Sequence, residues 1–122
     1  MKTLLITLLL VVGCTIINQH KMPEPDFPAL KVVLHEVDGG VVFNACYKYV
    51  PLWAKLLGAV PEGCAEVNFE DNTCTVWVRS DYPDKRVREH ELLHCKGYDH
   101  PGDDAISGAW IQHRNKLLEI GK

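Results

Sequence analysis

The alternation of apolar and polar positions after residue 30 predicts short strands followed by helices. Apolar residues dominate 31–37 and 41–43, and the Asp-Gly-Gly signal at 38–40 between them predicts a β-hairpin. Segments 64–69 and 73–79 flank Glu70-Asp71-Asn72 in the same way and predict a second strand–turn–strand unit. One face of the later strand is expected to be buried, because alternate positions along it are apolar: Cys74, Val76 and Val78.

Three helices are predicted. A short helix is expected from Pro51 to Leu57, closed by Gly58. Asp84 can cap a second helix from about 85 to 96, with Leu92 and Leu93 as its core contacts. Asp103 or Asp104 can cap a last helix that reaches about Ile120, with an apolar side made of Ile106, Trp110, Leu117 and Leu118. The order predicts a single α+β domain in which a small antiparallel or mixed sheet precedes both longer helices.

The first 13 residues are typical of a secretory signal, with Lys2 ahead of a short apolar run. Residues 11–14, Val-Val-Gly-Cys, resemble a bacterial lipobox. The resemblance implies that Cys14 is diacylated and begins the mature protein, which is then anchored in the cell envelope. Thr15 stands where an aspartate would favour inner-membrane retention, so the outer membrane is the expected destination. An ordinary cleaved signal and an uncleaved anchor remain alternatives.

Residues 14–29 carry three prolines among polar residues, which predicts an extended tether. The alternative is an arm that packs on the domain through Phe27. We expect the folded domain to span 30–122.

The cysteine count agrees with export. With Cys14 lipidated, an even set of four remains, suited to two disulfides in an oxidising compartment. Three pairings are possible, and the sequence does not choose among them. Structural zinc has little support because no C-x-x-C pair occurs, and a catalytic cysteine has less. The four candidates are Cys46, Cys64, Cys74 and Cys95.

The formal net charge is −3, and the chain carries no run of basic residues. Nucleic-acid binding therefore finds no support.

Residues 90–100 have the spacing H-E-x-x-H-x-x-G-x-x-H. On a helix, His90 and His94 project from one face and supply two neutral imidazole ligands for zinc. Gly97 can end the helix in the left-handed conformation, which lets His100 return as a third ligand. One coordination position then stays open, as in a catalytic zinc site, and Glu91 is placed to take a proton from a zinc-bound water. The alternatives are a chance match on an amphipathic helix and an inactive relative that keeps its ligands.

These eleven residues resemble the extended motif of the metzincin clan of zinc metallopeptidases. The resemblance implies that His90, His94 and His100 bind Zn²⁺ and that Glu91 is the general base. It also implies a cleft in which an extended peptide pairs with a strand before the motif helix, for which 73–79 is the candidate. The sequence departs from the clan because no methionine follows Met22 and only 22 of its 122 residues follow His100. It is therefore similar to a minimal zincin, and Trp110 is the candidate floor of the site.

Further side chains near the motif have candidate roles. Tyr98, or alternatively Tyr82, can donate to the oxyanion of a peptide-hydrolysis intermediate, or simply pack. An aspartate can hold the second nitrogen of a ligand histidine, or instead cap a helix, and the candidates are Asp99, Asp103 and Asp104. Three histidines fit no pattern and are interpreted as surface or packing residues: His20, His35 and His113.

The sequence thus predicts a lipid-anchored zinc metallopeptidase of the cell envelope that hydrolyses peptide bonds in a peptide or protein substrate. Two alternatives keep the metal without catalysis. One is a zinc-binding lipoprotein that buffers metal or acts as an adaptor, and the other is a structural lipoprotein, of bacterial or phage origin, stabilised by its metal. The oligomeric state and the substrate are not specified by the sequence.

Overall fold

The structure is a computed structural model, and it describes residues 20–121. The predicted signal at 1–13 and the candidate lipidation site Cys14 lie outside the described residues. In the described part, an α+β fold is confirmed, with one three-stranded mixed sheet. Its strands are β1 (Lys31–Val37), β2 (Gly63–Asn68) and β3 (Thr73–Arg79). Its helices are α1 (Gly39–Cys46), α2 (Leu52–Leu56), α3 (Lys85–Cys95) and α4 (Ala105–Ile120), with a 3-10 turn at Tyr47–Tyr49. No helix among residues 20–121 is both long enough and apolar enough to cross a membrane.

The central strand of the sheet is β3, in the order β1-β3-β2. It runs parallel to β1, with Lys31 opposite Thr73, and antiparallel to β2, with Asn68 opposite Thr73. The predicted second strand–turn–strand unit is therefore confirmed. Its turn places Asn72 at a φ of 53°, a left-handed conformation that asparagine tolerates better than most residues.

Helices cover both faces of the sheet. Cys74, Val76 and Val78 form the predicted buried face of β3, and they pack with Cys95 of α3. On the opposite face Trp77 packs against a second buried cluster, made of Val42 and Cys46 of α1 with Cys64 of β2. The result is a three-layer arrangement in which α1 and α3 lie on opposite faces of the sheet.

One disulfide joins each of these two helices to the sheet. Cys46–Cys64 joins α1 to β2, and Cys74–Cys95 joins β3 to α3. Both of the expected disulfides are therefore present, and the structure selects one of the three possible pairings. In so small a domain these links supplement a limited hydrophobic core.

The predicted hairpin at 31–43 is wrong, since only its first strand forms. Asp38 begins helix α1 instead of a turn, because its side chain accepts hydrogen bonds from the backbone N–H groups of Gly40 and Val41. The β-branched residues at 41 and 42 favour a strand locally. Burial of Val42 and Cys46, four residues apart on one helix face, outweighs that preference.

The last helix begins close to the expected position, and Asp103, one of its two predicted caps, is joined there by Asp99. The buried carboxylate of Asp99 accepts hydrogen bonds from the backbone N–H groups of Ile106 and Ser107, while Asp103 accepts one from Ala105. Asp104 makes no side-chain capping bond. Leu117 and Leu118 were expected on the apolar side of this helix, yet they are 52% and 63% exposed.

Residues 20–29 lie against the domain, as the packed-arm alternative describes. Phe27 packs edge-on against Phe69, and Asp26 accepts hydrogen bonds from Trp110 and Arg114 of α4. Lys21 exchanges two backbone hydrogen bonds with Asp99. The folded unit in the structure therefore includes these residues as well as those after Leu30.

Candidate metal centre

Helix α3 supplies two of the three histidines. It begins at Asp84, whose side chain accepts a hydrogen bond from the backbone N–H of Arg86, as expected. The Cys74–Cys95 disulfide holds the other end of the helix to β3. His90 and His94 lie one turn apart, so their rings share one side of the helix.

The turn after α3 brings in the third histidine. Gly97 has a φ of +96°, which favours glycine, and a Cβ at this position would lie 2.7 Å from the ring of Phe27. The position therefore requires glycine for two reasons, conformation and close contact with the arm. The reversal that follows places His100 opposite His90.

The three imidazoles converge at hydrogen-bonding distances. His90 Nε2 lies 2.9 Å from His100 Nε2 and 3.1 Å from His94 Nε2. One ligand atom from each ring lies within 4.8 Å of the others. The three histidines can therefore hold a metal ion, and they form the one such group of three or more residues among those described.

Two of these rings are oriented by hydrogen bonds at Nδ1, the ring nitrogen that does not face the other two histidines. His94 Nδ1 lies 2.7 Å from the carbonyl oxygen of Tyr98, which can only accept, so Nδ1 carries the proton. In the neutral ring Nε2 then keeps its lone pair toward the other histidines. His90 Nδ1 lies 2.9 Å from His20 Nε2, and donation to His20 frees His90 Nε2 in the same way. Such outer partners are a regular feature of metal-binding histidines.

The environment of His90 and His94 keeps these two imidazoles neutral. Burial, together with the neighbouring imidazoles, lowers the pKa of His90 to about 4, and burial lowers the pKa of His94 as well. Both rings are consequently unprotonated at neutral pH, as metal binding requires.

Glu91 is buried beside the histidines and lines the same cleft. Burial raises the pKa of its carboxyl to about 7. A carboxyl group with a pKa near neutrality can both accept and donate a proton at physiological pH. Glu91 therefore lies beside the candidate metal ligands, and its role as general base stays a prediction.

An open cleft of about 640 Å³ leads to the histidines. All four motif side chains line it, and β2 forms part of its wall. A neighbouring groove of about 660 Å³ shares Gly63, His90 and Glu91 with this cleft and extends it past His20. The site is thus accessible to a ligand longer than a single residue.

An extended peptide was expected to pair with residues 73–79, and this prediction is wrong. This segment is β3, which is hydrogen-bonded on both sides by β1 and β2 and has no free edge. The strand beside the cleft is β2, which pairs with β3 alone within the described residues. The error arises because a strand's position within a sheet depends on long-range pairing that local patterns do not encode.

No known family model matches the chain, and no curated protein or solved structure is significantly similar to it. What the site can do therefore follows from its own residues. Three imidazoles that converge beside a buried carboxyl, in an open cleft, suit a metal ion that keeps a free coordination position.

The remaining candidates occupy other places. Tyr98 contributes its carbonyl oxygen to His94, and its ring lies edge-on to that of His20 at 6.3 Å; its role as oxyanion donor stays a prediction. Tyr82 is exposed and lies beside Arg79. No hydrogen bond within residues 20–121 joins a histidine to one of the three candidate aspartates. Asp99 and Asp103 instead accept hydrogen bonds from the start of α4, as the capping alternative describes.

Trp110 does not form the floor of the histidine site. It packs against Phe27 and Phe69 and donates to Asp26, so it anchors the arm on α4. The part of α4 that lines the cleft is its first turn, with Ala105, Ile106 and Ala109. Aromatic residues near a metal motif are equally suited to core packing, and the sequence offered no signal to distinguish the two.

His20 was interpreted as a surface or packing residue, and this is wrong because its ring contacts the candidate ligand His90. It is 70 residues from His90, and no motif includes it. His35 and His113 are packing residues as expected, stacked on Trp77 and Phe69 respectively.

Replacement of His20 by alanine is expected to weaken metal binding by about 10- to 100-fold, since it removes the hydrogen-bond partner of a ligand. His35→Ala, which alters a histidine outside the site, should leave the affinity unchanged. Competitive titration of the purified chain with a chromophoric chelator measures both constants. Equal affinities for wild type and His20→Ala would show that the contact does not orient His90.

The two disulfides are expected to differ in their effect on the site. They close loops of similar size, with sequence separations of 18 and 21, so loss of either pair should lower the free energy of unfolding by about 3 kcal/mol. The double variant Cys74→Ala/Cys95→Ala releases α3 and should also weaken metal binding, whereas Cys46→Ala/Cys64→Ala should not. Urea unfolding and metal titration measure the two quantities, and equal loss of affinity in both variants would contradict this assignment.

Proposed function

We propose that the protein is a zinc-dependent peptidase of the cell envelope, anchored through Cys14, that hydrolyses peptide bonds at the His90–His94–His100 centre. The observation that carries the proposal is the convergence of three imidazole nitrogens beside the buried carboxyl of Glu91 in an open cleft. A structural site would fill its fourth position with a protein ligand, and the described residues offer none within the group.

Zinc suits this donor set. Zn–N bonds of about 2.0–2.1 Å in a tetrahedral site place ligand nitrogens about 3.3 Å apart. The observed separations of 2.9 and 3.1 Å are close to that value. Three imidazoles without a thiolate also match the ligands of known catalytic zinc sites.

Different groups of the protein have separate roles in the proposed hydrolysis. When bound, zinc polarises the scissile carbonyl and lowers the pKa of water to about 7. Glu91 accepts the proton of the attacking water and delivers it to the leaving amine. His20 and the carbonyl of Tyr98 hold His90 and His94 in the tautomer that ligation requires.

The edge of β2 is the proposed binding site for the substrate backbone. It lines the cleft beside the histidines, and its outward N–H and C=O groups can pair with an extended peptide. A peptide held there passes over His90 and Glu91 and reaches the neighbouring groove.

Two disulfides support the envelope location, since such bonds persist in oxidising compartments. The lipobox-like sequence at 11–14 supports the anchor.

An unbiased peptide library tests the function. The full chain is loaded with one equivalent of zinc, incubated with the library, and compared with chelated and zinc-restored samples by mass spectrometry. We expect new peptide termini in the zinc-loaded samples alone. Stoichiometric zinc without cleavage would favour the non-catalytic zinc-binding lipoprotein instead.

A further inference from the structure

A run of exposed apolar side chains borders the candidate site. From Tyr49 to Pro61 the sequence holds thirteen residues with a single charge, that of Lys55. We call residues 52–60 within it the apolar segment. Its five large side chains are between 63% and 79% exposed: Leu52, Trp53, Leu56, Leu57 and Val60.

The backbone of this segment presents the side chains outward. Helix α2 is little more than one turn long, and Ala54 is its single buried residue. Gly58, with a φ of +81°, ends the helix and turns the chain back toward β2. Soluble monomers seldom expose so many large apolar residues in one contiguous patch, which indicates a binding surface.

The composition of the patch fits a lipid surface. Tryptophan and leucine beside lysine, without acidic residues, are typical of protein segments that lie at the boundary between headgroups and acyl chains. Lys55 holds its ammonium group over the Tyr47 ring, 4.4 Å from the centroid, and rotation of the side chain can bring that group to anionic headgroups while the methylene stem stays among apolar atoms. The exposed leucines of α4 differ, because Lys116 and Glu119 flank them.

His20, the first residue that the structure describes, lies near this patch. His20 and Val60 line the same groove. His20 is six residue steps along the chain from Cys14, and a fully extended chain of that length spans about 20 Å at most. A bilayer attached at Cys14 therefore lies within reach of the apolar segment.

We propose that the apolar segment docks on the surface of the bilayer that carries the anchor, with Trp53, Leu56 and Leu57 inserted among the lipids. This inference rests on the lipid anchor of the proposed function. The acyl chains on Cys14 attach the protein to the bilayer, and contact between the apolar segment and the lipids orients the domain on it.

Docking would fix the direction in which the cleft opens. Tyr49, Pro51 and Pro61, which flank the apolar segment, line the cleft. With the segment in the headgroup layer, the cleft opens at the membrane surface. The substrate class is then peptide that lies close to that surface.

Fluorescence quenching by lipids tests the docking directly. The full chain is reconstituted with vesicles of phosphatidylethanolamine and phosphatidylglycerol, with and without bromine on the acyl chains. Trp53 should be quenched by the brominated lipid, whereas Trp77 and Trp110, which are packed within the domain, should not. Trp53→Phe should therefore abolish the lipid-dependent quenching.

Charged variants separate the apolar segment from other exposed leucines. Leu56→Asp with Leu57→Asp should abolish the quenching of Trp53, while Leu117→Asp with Leu118→Asp should preserve it. The first variant should still bind one zinc and cleave soluble peptides, so failure of docking is distinguishable from failure of the proposed function.

Three results would overturn the proposal. Vesicle-bound protein whose Trp53 is quenched by aqueous iodide but not by brominated lipid contradicts docking while leaving the anchor intact. Protection of Trp53 from iodide in a lipid-free dimer identifies a second copy of the chain as the occupant. Failure of the full chain to sediment with vesicles contradicts both the anchor and the docking.

Discussion

Glu91→Gln is expected to lower the rate of peptide hydrolysis by about 10²- to 10⁴-fold while the protein keeps one equivalent of zinc. The magnitude is that of a lost general base. Glutamine matches the size of glutamate but cannot accept the proton of the attacking water. Metal should remain because the three ligand atoms come from His90, His94 and His100. Steady-state cleavage of the best library peptide, together with metal content by mass spectrometry, measures both effects.

Glu119→Gln is the matched control, since Glu119 is an exposed carboxylate on α4. Its rate should equal that of wild type. A Glu91→Gln protein that cleaves at the wild-type rate would refute the assigned base, and loss of zinc in that variant would mean that Glu91 serves the metal instead of the substrate.

His100→Ala should sharply reduce the stabilisation that zinc gives the fold. Free zinc at about 100 times its dissociation constant should stabilise the wild-type protein by about 2.7 kcal/mol. For a domain of this size, that corresponds to a rise in Tm on the order of 10 °C or more. His100 is exposed, so its removal should leave the metal-free fold intact, and the loss of stabilisation then reports ligation. Thermal unfolding with and without zinc measures the shift.

The matched control is His113→Ala, in which a histidine stacked on Phe69 is lost and the zinc-dependent rise in Tm should persist. A full rise in Tm for His100→Ala would show that two histidines bind the metal without the third.

The parts of the site that are local in sequence could be predicted. His90 and His94 share a helix face because of their spacing, and Gly97 supplies the reversal to His100. Each of these steps depends on backbone geometry over a few residues. The strand–turn–strand unit of β2 and β3 was predictable for the same reason, because alternation and a turn signal lie within sixteen residues of each other.

The parts that depend on distant contacts could not be predicted. His20 approaches His90 because the arm packs on the turn after α3 through Phe27 and Gly97, a contact that no local pattern indicates. The wrong strand was predicted to pair with a peptide for the same reason, since it is the parallel pairing with the distant β1 that places β3 in the centre of the sheet. At Asp38 the local signal was ambiguous, because aspartate followed by glycine begins a turn or caps a helix equally well.

Zinc K-edge X-ray absorption of the zinc-loaded full chain counts the atoms around the metal. A three-histidine centre should show three imidazole nitrogens at about 2.0 Å and one light-atom donor from solvent, with one imidazole lost in His100→Ala. Sulfur in the coordination sphere, a fourth protein ligand, or an unchanged spectrum in His100→Ala would contradict a catalytic centre made of His90, His94 and His100.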